Sequence, residues 1–188
     1  MRWLIALPLL IACAVVAMAD SGKHFNAEGY RSGHYRSPLP DSVPGGVAIS
    51  PEQLRQLLLA DEAPALIDVQ AVTLRKEAAA FGLSWLPSEQ RLNIPGSSWL
   101  PNVGYGELEP FMQAFFRDNL SRLTADKLDH PIVFYCIADC WMSWNSVRRA
   151  HAWGYTNLYW LRDGTDGWIA SGGEVTAAEP ESIIEYLQ

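Results

Sequence analysis

The chain has 188 residues, 14 Lys and Arg against 21 Asp and Glu, and a formal net charge of −7. This length suits one domain with a core of its own and a short extension. Because the balance is acidic and no basic tract interrupts it, the sequence argues against binding to nucleic acid or to anionic membrane surfaces.

Residues 1–19 have the pattern of a secretory signal peptide. Arg2 supplies the positive start, Trp3 to Ala17 form the apolar stretch, and Ala17-Met18-Ala19 offers a small-residue cleavage site before Asp20. The apolar run is short for a spanning helix and no charged stop-transfer segment follows, so we expect no integral membrane segment after cleavage. The pattern predicts export to the periplasm, where disulfides persist.

Cys13 leaves a minor alternative open, since Leu10-Ile11-Ala12-Cys13 resembles a lipobox. A lipoprotein signal would then have a very short apolar region, and apolar residues 14–16 would follow the cysteine. An uncleaved anchor is a smaller third alternative.

Residues 20–46 are rich in Gly, Ser, Pro and Tyr and have no apolar period, which predicts an N-terminal arm without regular structure. Within the arm, Tyr30-Arg31-Ser32 recurs as Tyr35-Arg36-Ser37. One interpretation is an arm that binds an anion or a partner. The simpler one is an extended strap whose tyrosines pack on the domain.

Residues 47–188 are predicted to form the folded domain. Ser50, Pro51 and Gln53 fit a capping box at the start of its first helix. Alternating patterns predict strands at 47–49, 65–69, 92–96, 132–135 and 157–161, and helices after residue 50, at 108–120, 144–152 and 180–187. Residues 164–168 are predicted as a tight turn. This order predicts an α/β fold with a mostly parallel five-stranded sheet and helices on both faces.

Cys136 and Cys140 follow the predicted central strand, so they lie in the turn before a helix, where backbone N–H groups favour a thiolate. Asp139, between them, opposes that effect. Three interpretations stay open: a redox-active dithiol, a permanent disulfide that only shapes the loop, and a metal site. The metal site is the least supported, because two thiolates need further ligands and no histidine is near in the sequence.

Other residues around this loop are candidate binding residues. Asp68 ends a neighbouring strand and is expected to hydrogen-bond into the loop. Ser143 and Asn145 are expected to cap or order it. Trp141 is hard to bury directly after a cysteine, so it is a candidate for stacking on a flat quinone, and a packing role stays open beside that interpretation. The broken apolar segment 81–90 is expected to form a rim or a docking surface.

Residues 47–175 resemble a rhodanese domain. The resemblance rests on four pieces of sequence: Leu66-Ile67-Asp68-Val69, Ile94-Pro95-Gly96, residues 132–136, and residues 154–161 followed by Gly164 and Trp168. It implies a rhodanese-like fold and places Cys136 where that family has its persulfide-forming nucleophile.

A finer resemblance extends over the arm and the cysteine loop. Its residues are Phe25-Asn26, Glu28 to Arg31, Tyr35 to Pro38, the run from Cys140 to Asn145, and Trp160 to Trp168. Together they are similar to the PQQ-dependent catabolism-associated CXXCW motif proteins. That similarity implies an association with PQQ and with a quinoprotein alcohol dehydrogenase or its electron-transfer partners in periplasmic alcohol oxidation.

Several residues depart from these families. Three residues, not two, separate Cys136 from Cys140, and the loop lacks the Arg that rhodaneses usually have. Gln70 and Asn93 stand where the family often has Arg and His. Without a guanidinium in the loop, thiosulfate sulfurtransferase and phosphatase activities are not expected.

The sequence therefore predicts a periplasmic rhodanese-like thiol protein that serves quinoprotein alcohol oxidation. Cys136 would attack or carry a persulfide, and Cys140 would resolve the intermediate by forming the disulfide. The alternative is a non-catalytic module that binds a quinone or a dehydrogenase, with the two cysteines in a structural disulfide.

Overall fold

The computed structural model describes residues 22–81 and 84–187. The predicted signal peptide at 1–19 and the lipobox at Cys13 lie outside these residues. In the part of the chain that is described, no helix is long and apolar enough to cross a membrane.

The strands, in chain order, are β1 (Val47–Ile49), β2 (Ala65–Asp68), β3 (Thr73–Leu74), β4 (Trp85–Leu86), β5 (Arg91–Asn93), β6 (Ser98–Trp99), β7 (Ile132–Tyr135), β8 (Leu158–Leu161) and β9 (Thr176–Ala178). Five of them form a parallel sheet in the order β1-β8-β7-β2-β6. β3 pairs with β4, and β5 with β9, as antiparallel ribbons. The predicted five-stranded parallel sheet is confirmed, but its fifth strand is β6, which was not predicted. The strand predicted at 92–96 is β5, which pairs with β9 outside that sheet.

The α-helices are α1 (Pro51–Leu58), α2 (Pro110–Thr124), α3 (Trp141–Ala152) and α4 (Gly164–Ala170), with short 3₁₀ helices at Gly22–His24, Lys76–Phe81 and Ile184–Leu187. α1 begins as predicted: Ser50 Oγ accepts from the Gln53 backbone N–H, and Gln53 Oε1 accepts from that of Ser50. Two predictions were wrong. The segment 164–168 is the start of a helix and not a tight turn, and 180–187 forms only the short 3₁₀ helix.

α3 begins three residues earlier than predicted, so that Cys140 is its N-cap residue. The first backbone N–H groups of a helix have no partner within the helix. The Trp141 N–H finds one in the carbonyl of Tyr35, at 2.9 Å, which lies on the arm. The helix can therefore start directly after the second cysteine.

Both faces of the sheet are covered, as predicted. Successive residues of a strand point to opposite faces, so each strand contributes to two cores. One core joins the sheet to α2 and α3 through Ile67, Phe134, Trp160, Phe116 and Val147. The other joins it to α1 and α4 through Leu66, Val133, Leu161, Leu54 and Trp168.

The described part of the arm, residues 22–46, packs along the domain as an extended strap. Tyr30, Leu39 and Val43 are buried there. The arm reaches the cysteine loop through an antiparallel bridge between Arg36 and Cys140. This arrangement agrees with the simpler of the two interpretations of the arm.

Candidate functional site

The cysteine loop follows β7 at the carboxyl edge of the parallel sheet. Asp139 takes a left-handed conformation with φ of 54°, which Asp tolerates better than most residues, and this turns the chain back before α3. The two sulfurs then lie side by side, with Cys136 Sγ 2.7 Å from Cys140 Sγ. Both side chains are buried, at 0% exposure for Cys136 and 3% for Cys140.

Residues at the start of α4 hydrogen-bond to the backbone of the cysteine loop. Thr165 N–H donates to the Cys136 carbonyl at 2.9 Å, and Asp166 Oδ2 accepts from the Ala138 N–H at 2.9 Å. Gly164 has φ of 57°, and a Cβ there would lie 2.4 Å from the Cys136 carbonyl oxygen. Only glycine lets α4 approach the loop this closely.

Gln70 touches the Cys136 thiol, which sequence reasoning noted only as a departure from the family and not as a site residue. The Cys136 S–H lies 3.0 Å from Gln70 Oε1, an acceptor. The Gln70 backbone is held on both sides, because its N–H donates to Asp68 Oδ1 and its carbonyl accepts from Trp99 Nε1. Its position directly after the strand that ends in Asp68 was the available signal.

The two thiols have opposite pKa shifts. Burial raises the pKa of Cys136 well above its ordinary value, with further contributions from its hydrogen bond to Cys140, the charge of Cys140 and that of Asp68. The pKa of Cys140 is lowered, first by the hydrogen bond from Cys136, then by the Met142 N–H and by Arg36, against the effect of burial. The first negative charge of the pair therefore resides on Cys140.

Asp68 does not bond into the loop, contrary to the prediction. Its buried carboxylate accepts from Arg91 Nε at 2.7 Å and from the Gln70 N–H. Burial raises the pKa of Asp68, and Arg91 opposes that rise. Arg91 also donates to Thr165 Oγ1 at 3.3 Å. Sequence reasoning missed Arg91, for which the only signal was that a buried Asp needs a counter-charge.

A cavity of about 570 Å³ opens beside the loop, within the range of small-molecule sites. Gln70, Arg91, Thr165 and Ile137 line it on the side of the loop. Residues 86–90 form one wall, in agreement with the rim expected from segment 81–90. Among the other lining residues, Tyr105, Leu92 and Ile169 are exposed hydrophobic side chains.

Trp141 is not on the surface, so the expectation of a ligand-facing ring was wrong. Its side chain is 8% exposed and lies under the arm. Its Nε1 donates to Ser37 Oγ at 2.9 Å, the Arg31 guanidinium lies 4.8 Å from its ring centre, and the Phe25 ring packs edge-on at 5.4 Å. These contacts leave a quinone no open face of Trp141 to stack on.

Ser143 orders the start of α3, as predicted. Its hydroxyl donates to the Cys140 carbonyl at 3.3 Å and accepts from Trp160 Nε1 at 2.9 Å.

Asn145 binds the arm instead of the loop. Its Oδ1 accepts from the Arg31 N–H at 2.9 Å, and its Nδ2 donates to the carbonyls of Arg31 and Gly104, both at 2.8 Å. The prediction that it orders the loop was therefore wrong, because the hydrogen bonds of the buried amide go to Arg31 of the arm and to Gly104.

Asp139 completes the set of predicted binding residues. The Asp139 side chain is exposed, and its backbone carbonyl accepts from the Ser37 N–H at 3.0 Å. The rings of His24 and His34 lie 4.1 Å apart on the arm. In residues 22–81 and 84–187, no three His, Cys, Asp or Glu side chains come together in a way that could hold a metal ion.

Several solved structures resemble this chain. A thiosulfate sulfurtransferase from Pseudomonas aeruginosa is 18% identical, with 72% of this chain and 21% of that chain covered and a TM-score of 0.48. The polysulfide-sulfur transferase homodimer from Wolinella succinogenes is 15% identical, with 70% and 79% covered and a TM-score of 0.44. A human single-domain sulfurtransferase is 25% identical, with 67% and 96% covered and a TM-score of 0.41.

The chain spans about a fifth of the length of the Pseudomonas aeruginosa protein. No curated protein matches it. The family model of the rhodanese-like domain, in contrast, matches residues 50–171. These residues include the whole cysteine loop and every strand of the parallel sheet except β1. Because this match covers more than half of the sequence, the chain belongs to the rhodanese-like domain family.

Proposed function

We propose that this rhodanese-like protein is an exported thiol protein whose Cys136 and Cys140 cycle between a dithiol and a disulfide, or pass on a persulfide. The observation that carries the proposal is the contact of the two sulfurs, 2.7 Å apart, with opposite pKa shifts. A thiol of lowered pKa in contact with a second thiol is the arrangement that thiol–disulfide exchange needs.

The contact supports an order of events. Cys136 Sγ also touches Gln70 of the cavity lining, so it is the sulfur that meets a substrate. As Cys136 attacks one sulfur of a substrate disulfide, its proton passes to the Cys140 thiolate and the first substrate thiolate leaves.

The departing thiolate takes that proton, and Cys140 is a thiolate again. Cys140 then attacks Cys136 Sγ in the mixed disulfide and expels the second substrate thiolate, which is protonated by water. Two electrons pass from the cysteine pair to the substrate, and the same steps run in reverse oxidise a dithiol.

The place of this chemistry is also part of the proposal. The signal pattern of residues 1–19 supports export to the periplasm, where a dithiol pair needs a redox partner. The resemblance of the arm and of the run Cys140 to Asn145 to PQQ-associated proteins supports a partner in quinoprotein alcohol oxidation.

The reduction potential of the pair tests the proposal. The exported protein is equilibrated in buffers of graded dithiol-to-disulfide ratio, and its thiols are trapped and counted by mass spectrometry. We expect a potential between about −270 and −120 mV, the range of thiol–disulfide oxidoreductases. A potential below about −300 mV would mark a structural bridge and end the redox proposal.

The same measurement decides the alternative function. Burial of both sulfurs favours a non-catalytic binding module, in which a permanent disulfide shapes the loop and the cavity holds a quinone or faces a dehydrogenase. In that case the pair would stay oxidised in every buffer of the series, and Cys140→Ser would trap no mixed disulfide on Cys136.

A further inference from the structure

We infer that the cavity beside Cys136 admits organic disulfides without negative charge and rejects anionic sulfur compounds such as thiosulfate. This inference names the substrate class of the same site and rests on the proposed function of the cysteine pair. It follows from the charges at the cavity, from the hydrogen bonds of the loop and from the character of the rim.

The charged groups at the cavity are mostly acidic. Arg91 is its one cation among the described lining residues, and the buried Asp68 compensates that charge through the contact at 2.7 Å. Glu89 and Asp166 remain, and both line the cavity. Because the whole chain is also acidic, an approaching anion meets a repulsive field and a cation an attractive one.

The backbone donors that could hold an anion are in use. The Ala138 N–H donates to Asp166 Oδ2 and the Trp141 N–H to the Tyr35 carbonyl. The backbone N–H groups of Ile137 and Met142 act on the cysteines, because they lower the pKa of the thiols. An anion in the cavity would have to displace an acidic side chain or a cysteine to reach these donors.

The rim favours an organic body. Leu92, Ile169 and Tyr105 are exposed around the cavity, and a polar group, the Gln70 amide, stands between it and the thiol. These apolar side chains, together with the Gln70 amide, suit an uncharged or cationic organic molecule whose disulfide reaches past Gln70. A fully hydrated oxyanion gains nothing from apolar side chains.

Thiosulfonate reagents of matched size and opposite charge test the inference. The protein thiolate attacks the sulfenyl sulfur of the reagent, the bond to the sulfonyl sulfur breaks, and methanesulfinate leaves with the electron pair. The 2-aminoethyl and 2-sulfonatoethyl methanethiosulfonates are added to the reduced protein at low ionic strength. Rates are divided by those for free 2-mercaptoethanol, and mass spectrometry follows the loss of the reduced protein, whether it ends as the labelled form or as the Cys136–Cys140 disulfide that Cys140 forms by expelling the label.

We expect the cationic reagent to label the pair at least about ten-fold faster than the anionic one, the lower end of electrostatic steering. Glu89→Gln with Asp166→Asn should narrow the ratio to below about three-fold. The amide oxygen that the second change introduces can still accept from the Ala138 N–H. Asp61→Asn, an exposed change before the amino end of β2, is the control and should leave the ratio intact.

Equal rates, faster labelling by the anion, or a ratio that the double variant does not change would each overturn the inference. Glu89→Gln alone, at an exposed side chain, gives the partial effect should the double variant not fold. Because these reagents modify any reduced thiol, their rates do not depend on the reduction potential of the pair. A reduction potential below about −300 mV would thus refute the proposed redox function, and the labelling rates would still decide the charge selectivity.

Discussion

Replacing Asn145 with Ala should release the arm from the domain. Asn145 is completely buried and makes three hydrogen bonds, one from the Arg31 N–H and two to the carbonyls of Arg31 and Gly104. Alanine removes all three and leaves the backbone groups without these partners.

The magnitude follows from those three bonds. A hydrogen bond between uncharged groups contributes about 1 kcal/mol, and an unpaired buried partner costs about as much or more. We therefore expect Asn145→Ala to lower the free energy of unfolding by about 3 kcal/mol. That is a large part of the stability of an ordinary domain, about 5–15 kcal/mol.

Urea unfolding followed by tryptophan fluorescence measures the change. Trp141 reports on the arm, because its Nε1 bonds to Ser37 and Phe25 packs against its ring. The variant should therefore show a red-shifted native emission and faster proteolysis within residues 22–46. Gln113→Ala is the matched control: its amide donates at the surface to one carbonyl, so a loss below about 0.5 kcal/mol is expected.

A loss below about 1 kcal/mol for Asn145→Ala, with unchanged emission, would refute this account. It would mean that the apolar contacts of the arm hold it in place without the amide. If Gln113→Ala lost as much stability as Asn145→Ala, about 3 kcal/mol, the cause would be the loss of any amide and not the release of the arm.

Three further substitutions, with Gly96→Ala as a control, probe the loop itself. Cys136→Ala should raise the pKa of Cys140, because alanine has no donor to replace the S–H that lowers it. Cys140→Ser should lower the pKa of Cys136, because it removes a neighbouring negative charge. Ultraviolet thiolate titration measures both pKa values, and shifts of the opposite sign would reverse the charge assignment. Gly164→Ala should lower the free energy of unfolding in urea by about 2–5 kcal/mol, because it combines a left-handed backbone with a Cβ 2.4 Å from the Cys136 carbonyl oxygen. Gly96 is also left-handed but has open space around it, so Gly96→Ala should cost only about 1–2 kcal/mol. Equal losses would show that the close approach of α4 to the loop is unimportant.

The sheet could be predicted because its signals are local. The apolar runs of β2 and β7 and the capping box of α1 each depend on residues next to one another in sequence. The carboxyl edge of the sheet, with Asp68 and Cys136 on adjacent strands, followed from the parallel topology alone. The sequence could therefore place the candidate site at one edge of the sheet and in one loop.

What could not be predicted depends on residues far apart in the chain. α3 starts at Trp141 because its first N–H bonds to Tyr35 on the arm, and no local pattern near Trp141 indicates that partner. Arg91 reaches Asp68 from β5, a ribbon strand whose partner β9 lies near the end of the chain. Burial of Trp141 likewise follows from the arm, which covers a side chain that its own segment would expose.

These contacts divide the run from Cys140 to Asn145 into two kinds of residue. Trp141 and Asn145 bind the arm, whereas Cys140 faces Cys136 and the loop. The arm and the run thus depend on each other. Arg36, placed on the arm beside Cys140, also helps to lower the pKa of that thiol. Release of the arm should therefore raise the pKa of Cys140 and also lower the stability of the fold. In Asn145→Ala the tryptophan emission, to which Trp141 contributes, and the titration of Cys140 should change together.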